Sequence, residues 1–167
     1  MRIRATTEAD WEALRDIRLR ALEDAPYAFG STIERERSRT EAEWREWAGR
    51  GRWANGVTFV ATEGDRFLGL AGGFPEEGEP DAVHLVSMWV DPSVRRAGVG
   101  CALIDTVVGW AHDRGARSVH LWVADGNDAA IALYRSCGFE PSGTRQPLPS
   151  NTAVDEELYH RSLTGVG

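Results

Sequence analysis

At 167 residues, with 42% hydrophobic content and a formal net charge of −7, the chain suits one domain with a sizeable core and is too apolar to be disordered. The acidic balance argues against nucleic acid as the main partner, and no apolar run approaches membrane-spanning length. The opening Met1-Arg2-Ile3-Arg4 leads into a mixed polar pattern, not a signal-peptide core, so the cytoplasm is the expected location. Cys101 and Cys137 fall in different elements, so no disulfide framework is expected. All 19 basic residues are arginine, which removes a P-loop lysine and a Schiff-base lysine from consideration.

In chain order, residues 2–5 read as a short strand. Thr7, followed three residues later by Asp10, reads as a capped helix start. Trp11, Leu14, Ile17, Arg18, Leu19, Ala21 and Leu22 continue at helical spacing to about residue 23. The stretch 25–30 breaks that pattern. Residues 31–49 read as one second helical region, in which the charge run 34–39 is a solvated face. Residues 57–62 and 67–72 are strands joined by a turn at Gly64-Asp65. Residues 75–80 form an acidic, Gly/Pro-rich loop before a strand at 83–90. A helix over 101–114, a strand over 118–123 and a helix over 127–137 closed by Gly138 follow. A final strand pair begins at Phe139, is interrupted at 146–150 and ends with a strand over 154–161. With no repeat and no long linker, residues 1–167 are expected to form a single α+β domain, with helices on a mostly antiparallel sheet.

The run from Val90 to Gly100 carries the most chemical information. It joins an apolar strand to a helix start, where the first N–H groups lack helical partners and the dipole adds positive potential. Gly98 and Gly100 let an anion approach the main chain, and Arg95 and Arg96 add charge suited to phosphate oxygens. The stretch reads as the cradle for the pyrophosphate of a nucleotide-like cofactor.

Arg95-Arg96-Ala97-Gly98-Val99-Gly100 resembles the Gln/Arg-x-x-Gly-x-Gly/Ala signature of the GCN5-related N-acetyltransferases (GNAT family). Val90 and Pro92 before it agree, as do Asn127, Ala130, Leu133-Tyr134 and Gly138-Phe139 after the next strand. The element order agrees over nearly the whole chain. The resemblance implies a mixed, mostly antiparallel sheet of about seven strands flanked by about four helices. It also implies an acetyl-CoA-dependent N-acetyltransferase that acts by direct attack of an amine.

On that resemblance, Arg95, Arg96, Ala97, Gly98, Val99, Gly100 and Cys101 hold the pyrophosphate, largely through main-chain N–H groups. Met88, Trp89 and Val90 bond the pantetheine arm, and one of their N–H groups receives the oxyanion. Asn127 contacts the arm, caps its helix, or does both. Tyr134 serves as general acid or hydrogen-bond donor to the departing thiolate. Where many members have a glutamate general base, this chain has His84, whose ordinary titration range suits the task. Water or an acid from residues 76–81 remains open for that role. His112, His120 and His160 have no metal-ligand spacing and read as structural or solvated, so no metal is expected. Cys101 and Cys137 read as small buried apolar residues.

Most of the seven tryptophans are expected in the core. Trp44, Trp47, Trp53, Tyr27 and Phe29 fall in the segment that the resemblance places at the acceptor site. The acidic run Glu76-Glu77-Gly78-Glu79 favours a cationic small-molecule amine. Alternatives are acetylation of a protein N-terminus or lysine, and a non-catalytic acyl-CoA-binding module. A Rossmann domain fits less well, because Leu103 stands where a third glycine is needed. Family members are often homodimers.

Overall fold

The computed structural model describes residues 1–26 and 28–163. Tyr27, expected near the acceptor site, lies outside the described residues. One sheet runs through the molecule in the order β1-β2-β3-β4-β5-β7-β6. Its strands are β1 (Arg2–Ala5), β2 (Val57–Glu63), β3 (Arg66–Glu76), β4 (Glu79–Val90), β5 (Ser118–Ala124), β6 (Glu140–Leu148) and β7 (Asn151–Ser162). All pairings are antiparallel except β4 with β5. The helices are α1 (Trp11–Asp24), α2 (Ile33–Arg37), α3 (Glu41–Arg50), α4 (Val99–Asp113) and α5 (Asp128–Ser136).

Strand alternation gives the sheet two apolar faces, and each has its own core. Val83, Leu85, Val119, Leu121 and Val123 pack with α4 and with Tyr134 on one side. Val60, Leu70 and Trp89 pack with Leu14 and Ile17 of α1 and with Trp44 and Trp47 of α3 on the other. The Thr7/Asp10 pair forms the expected capping box, on a short 3-10 turn (Glu8–Asp10) that leads into α1.

The single helix expected over 31–49 is two helices. Thr32 accepts from the Arg35 N–H and Thr40 from the Glu43 N–H, both at 3.2 Å, so a second N-cap interrupts the run. The acidic loop expected over 75–80 is a tight hairpin: Glu76 ends β3, Glu79 starts β4, and only Glu77 and Gly78 turn. The α4 helix starts at Val99, two residues earlier than its apolar pattern indicates.

The charge run 34–39 is not a uniformly solvated face either. Glu36 is fully buried and carries Arg18 at 3.2 Å, Arg52 at 3.4 Å and Arg39 in close contact. Removing its charge leaves three guanidiniums around a neutral group. We expect Glu36→Gln to cost about 3–5 kcal/mol. Calorimetric melting should read this as a loss of roughly 2–4 °C per kcal/mol; an unchanged melting temperature would contradict it.

Candidate active site

The β4–β5 pair is bonded only at Ala82↔Ser118, Val83↔Val119 and His84↔His120. Beyond that rung both strands continue, β4 to Val90 and β5 to Ala124, without pairing to each other. The sheet therefore opens into a wedge whose apex is the His84–His120 rung. A β-bulge sharpens the opening: β4 uses one residue more than β3 between Val86 and Trp89, and Ser87 takes a φ of 57°. The bulge also resets the alternation, sending Met88 toward the α4 core and Trp89 toward the α1–α3 core.

His84 and His120 are direct partners across the parallel rung, so their side chains share a face, the one opposite Val83 and Leu85. Their ring centroids are 6.0 Å apart. Glu76 joins them: one carboxylate oxygen lies 3.1 Å from His84 Nε2, the other 3.4 Å from His120 Nδ1. The three side chains bring their polar atoms within 4.8 Å of one another. His120 Nε2 in turn lies 3.1 Å from Ser118 Oγ. Burial pushes the His84 imidazole below its ordinary value, only partly offset by Glu76, so the ring is neutral at pH 7. With Nε2–H donated to Glu76, Nδ1 keeps the lone pair. Glu76 Oε2 is buried and takes no hydrogen bond from the described residues.

On the opposite face, Tyr134 of α5 sits in the α4 core, with its ring 6.1 Å from Phe139 in an edge-on contact. Burial pushes its phenol up, so it stays protonated. None of the described residues gives that hydroxyl a hydrogen bond.

At the open end of the wedge, Asp91 holds the turn that enters α4. It accepts from the Ser93 N–H (2.9 Å) and hydroxyl (2.6 Å), and Arg20 bonds it at 2.7 Å. Gly98 forms the α4 N-cap at a φ of 83°, a conformation that a side chain strains. A Cβ on Gly100 would stand 3.0 Å from Leu133. The first helical bond runs from the Ala102 N–H to the Gly98 carbonyl (3.0 Å), which leaves the N–H groups of Val99, Gly100 and Cys101 for an outside acceptor. A cleft of about 840 Å³ extends from these residues past Met88, Asn127 and Leu133 to Tyr134.

An open strand wedge, a helix start stripped of acceptors and a connecting cleft are what an acyl-CoA binder requires. The family model described as the acetyltransferase (GNAT) family matches residues 11–139. The chain belongs to the GNAT acetyltransferase family. This acetyltransferase is 32% identical over 116 residues to the [ribosomal protein bS18]-alanine N-acetyltransferase of Escherichia coli, 64% of this chain and 77% of that one. It is 36% identical over 126 residues to the mycothiol acetyltransferase of Geodermatophilus obscurus, 72% of this chain but 38% of that one. A match of 42% over 65 residues to an N-acetyltransferase of Methanocaldococcus jannaschii covers 39% of this chain and spans 28% of that protein. An acetyltransferase from Salmonella typhimurium, solved with its cofactor acetyl-CoA, has the same fold at a TM-score of 0.80 and 21% identity, covering 100% of this chain and 96% of that one. The enzyme uses acetyl-CoA as co-substrate, and the seven-stranded α+β fold is the family's, with five helices where about four were expected. Among the described residues, no helix is long and apolar enough to cross a membrane.

The acetyltransferase brings most of its sequence-predicted site residues to one cleft. Met88, Trp89, Val90, Arg95, Arg96, Gly98, Gly100, Cys101, Asn127 and Tyr134 line it. His84, Ala97 and Val99 do not; His84 sits at the wedge apex with Glu76 and His120, and the Val99 side chain is buried in the core, leaving only its main chain toward the cleft. Arg95 is tied to Asp24 and to the Val90 carbonyl, whereas Arg96, at a φ of 64°, has no ion pair among the described residues. Asn127 occupies the N-cap of α5 without a side-chain capping bond, so its amide is free for the cleft. Cys101 is half-buried on the cleft wall with its sulfur 2.7 Å from that of Cys137, not the fully buried apolar residue expected. His112 and His160 are exposed. His120 was missed as a site member, because no local spacing links it to His84; Glu76, one of the acids left open over 76–81, meets His84 as its carboxylate partner.

Proposed function

We propose that the enzyme moves the acetyl group of acetyl-CoA to the primary amine of a small molecule by direct attack. The observations that carry this reading are a neutral imidazole held by a carboxylate at the wedge apex and, on the other face of the sheet, a protonated phenol on the wall of the cleft that runs from the start of α4. The N–H groups at the start of α4, with Arg96, hold the pyrophosphate. Main-chain groups of Met88, Trp89 and Val90 hold the pantetheine arm, and one N–H of that bulged segment stabilises the oxyanion. The amine enters on the His84 face, beside the Glu76 carboxylate that holds the imidazole. Its lone pair forms the C–N bond, and the proton made acidic by that step passes to His84 Nδ1. The C–S bond breaks, and Tyr134 donates to the departing thiolate.

Closure of the acceptor side supports a small acceptor. Ser150, in the β6–β7 turn, donates to the Phe29 carbonyl at 2.6 Å, strapping that turn to the segment after α1. The identity with an alanine N-acetyltransferase favours a second reading, transfer to a protein N-terminus. Thiol release from acetyl-CoA, measured with a panel of small primary amines and with peptides carrying N-terminal alanine, separates the two. Turnover is expected with small amines; turnover with peptides alone would replace the first reading by the second.

A further inference from the structure

The strands around the wedge apex hold a set of side chains that acetyl transfer uses only in part. Glu76 ends β3, His84 lies on β4 and His120 on β5, and these three strands are neighbours in the sheet. One donor atom from each residue lies within 4.8 Å of the other two. His84 Nε2 is 3.1 Å from one Glu76 oxygen, and His120 Nδ1 is 3.4 Å from the other. Both distances are close to those between neighbouring donors around one metal ion, about 3.3–3.6 Å for a tetrahedron with bonds of about 2.0–2.2 Å. The side chains of Glu76 and His120 are 32% and 17% exposed, so an ion can reach them from solvent. Spacing along the chain gives no sign of this group, because strand pairing alone brings its members together.

Both rings are held in place by neighbours. The His84 ring lies 5.4 Å from that of Phe74 and nearly parallel to it, at 21°. His120 Nε2 lies 3.1 Å from Ser118 Oγ. When that nitrogen donates its hydrogen to the hydroxyl, Nδ1 carries the lone pair and faces Glu76. Two acceptors then stand 3.4 Å apart, and Glu76 Oε2 takes no hydrogen bond from the described residues. A cation between them satisfies both. Donation of the second ring N–H to a fixed acceptor is also how metal-bound imidazoles are oriented. Among the described residues, no arginine pairs with Glu76, and Glu79 adds negative potential at His84.

We propose that Glu76, His84 and His120 form a binding site for one divalent ion of the zinc class, and that the enzyme loaded with this ion does not transfer acetyl groups. Two imidazoles and one carboxylate suit zinc, cobalt or nickel, whereas calcium and magnesium favour sets made of oxygen. Three protein ligands leave a fourth position for water. A metal on His84 Nε2 displaces the hydrogen that this nitrogen donates to Glu76. The proton is taken up at Nδ1, which thereby loses the lone pair meant for the proton of the amine. Metal binding and the action of His84 as base therefore exclude each other. The site stands on its geometry; its effect on turnover rests on the acetyl-transfer reading above.

The test titrates chelator-treated enzyme with Co²⁺, then with Zn²⁺ in competition, in the absence of acetyl-CoA. Visible absorption and calorimetry should show one ion per chain, with the strong bands of four-coordinate cobalt that Zn²⁺ abolishes. Ser118→Ala should weaken binding by about 10–100-fold, and His120→Ala by more. Circular dichroism confirms each fold, and if His120→Ala does not fold, Ser118→Ala carries the measurement. Zn²⁺ should stop formation of acetylated amine, read by mass spectrometry, at the concentration that fills the site, and chelator should restore it. Absence of stoichiometric binding, or an affinity unmoved in every folded variant, overturns the proposal. So does a thiolate-to-cobalt absorption band, which would place the ion at Cys101 or Cys137, or full turnover by the metal-filled enzyme. Each of these leaves acetyl transfer to a small amine standing; that reading fails if the metal-free enzyme acetylates no small amine.

Discussion

Tyr134→Phe is expected to lower kcat by about 10²–10⁴-fold, the range typical of a positioned acid, while leaving the KM for acetyl-CoA nearly unchanged. The side chain is buried in the α4 core with its ring edge-on to Phe139, so phenylalanine fills the same space. The change removes only the hydroxyl, which has no hydrogen bond among the described residues and which burial keeps protonated. No internal partner is left unsatisfied, so the fold should tolerate the loss. Effects on KM and melting temperature should be small beside the effect on kcat. Steady-state kinetics with thiol detection reads kcat and KM, thermal melting reads the third quantity, and an unaltered kcat would remove Tyr134 from the reaction.

His84→Ala is expected to lower kcat/KM for the acceptor by a comparable factor and to remove one limb of its pH profile. Desolvation moves the imidazole below its ordinary 6.5, with Glu76 only partly opposing. A lowered value means that the basic form is complete at pH 7 and is lost as the solution is acidified below 6.5. The wild-type profile should therefore steepen by one proton in that acidic range. The acceptor amine contributes a separate, more alkaline dependence that both proteins share. In the alanine variant only that shared dependence should remain. Glu76→Gln should retain the acidic limb but move it lower still, since it removes the group that raises the imidazole. An identical acidic limb in His84→Ala would place the base elsewhere.

The parts of this enzyme that were legible in its sequence rest on local rules. The α4 cradle binds through main-chain groups, so its requirements are written as consecutive residues, from Asp91 at the turn to Gly100. The Thr7/Asp10 box and the Gly64-Asp65 turn are equally local and fall where expected. Thr40 with Glu43 carries the same capping signal, and reading it would have divided the helical region after residue 31. The parts that were not legible depend on long-range pairing. Glu76, His84 and His120 meet only because a hairpin and a parallel rung bring three strands together. Glu36 looks solvated in a charged five-residue helix, and its burial follows from where Arg18 and Arg52 are packed. The register shift around Ser87 likewise comes from matching β4 to β3 and leaves no mark in the periodicity of β4 alone.

Direct transfer, with the amine and the thioester between His84 and Tyr134 at one time, is tested most plainly by rapid quench. The protein is saturated with labelled acetyl-CoA, the best small amine is then added, and intact protein mass, free thiol and acetylated amine are followed together. The chain should keep its unmodified mass throughout, and acetylated amine should appear in step with thiol. Cys101 lines the cleft, while burial pushes the Cys137 thiol up to about 11. Acetylated protein that accumulates at Cys101 before the amine is added, and is consumed afterwards, would contradict direct attack.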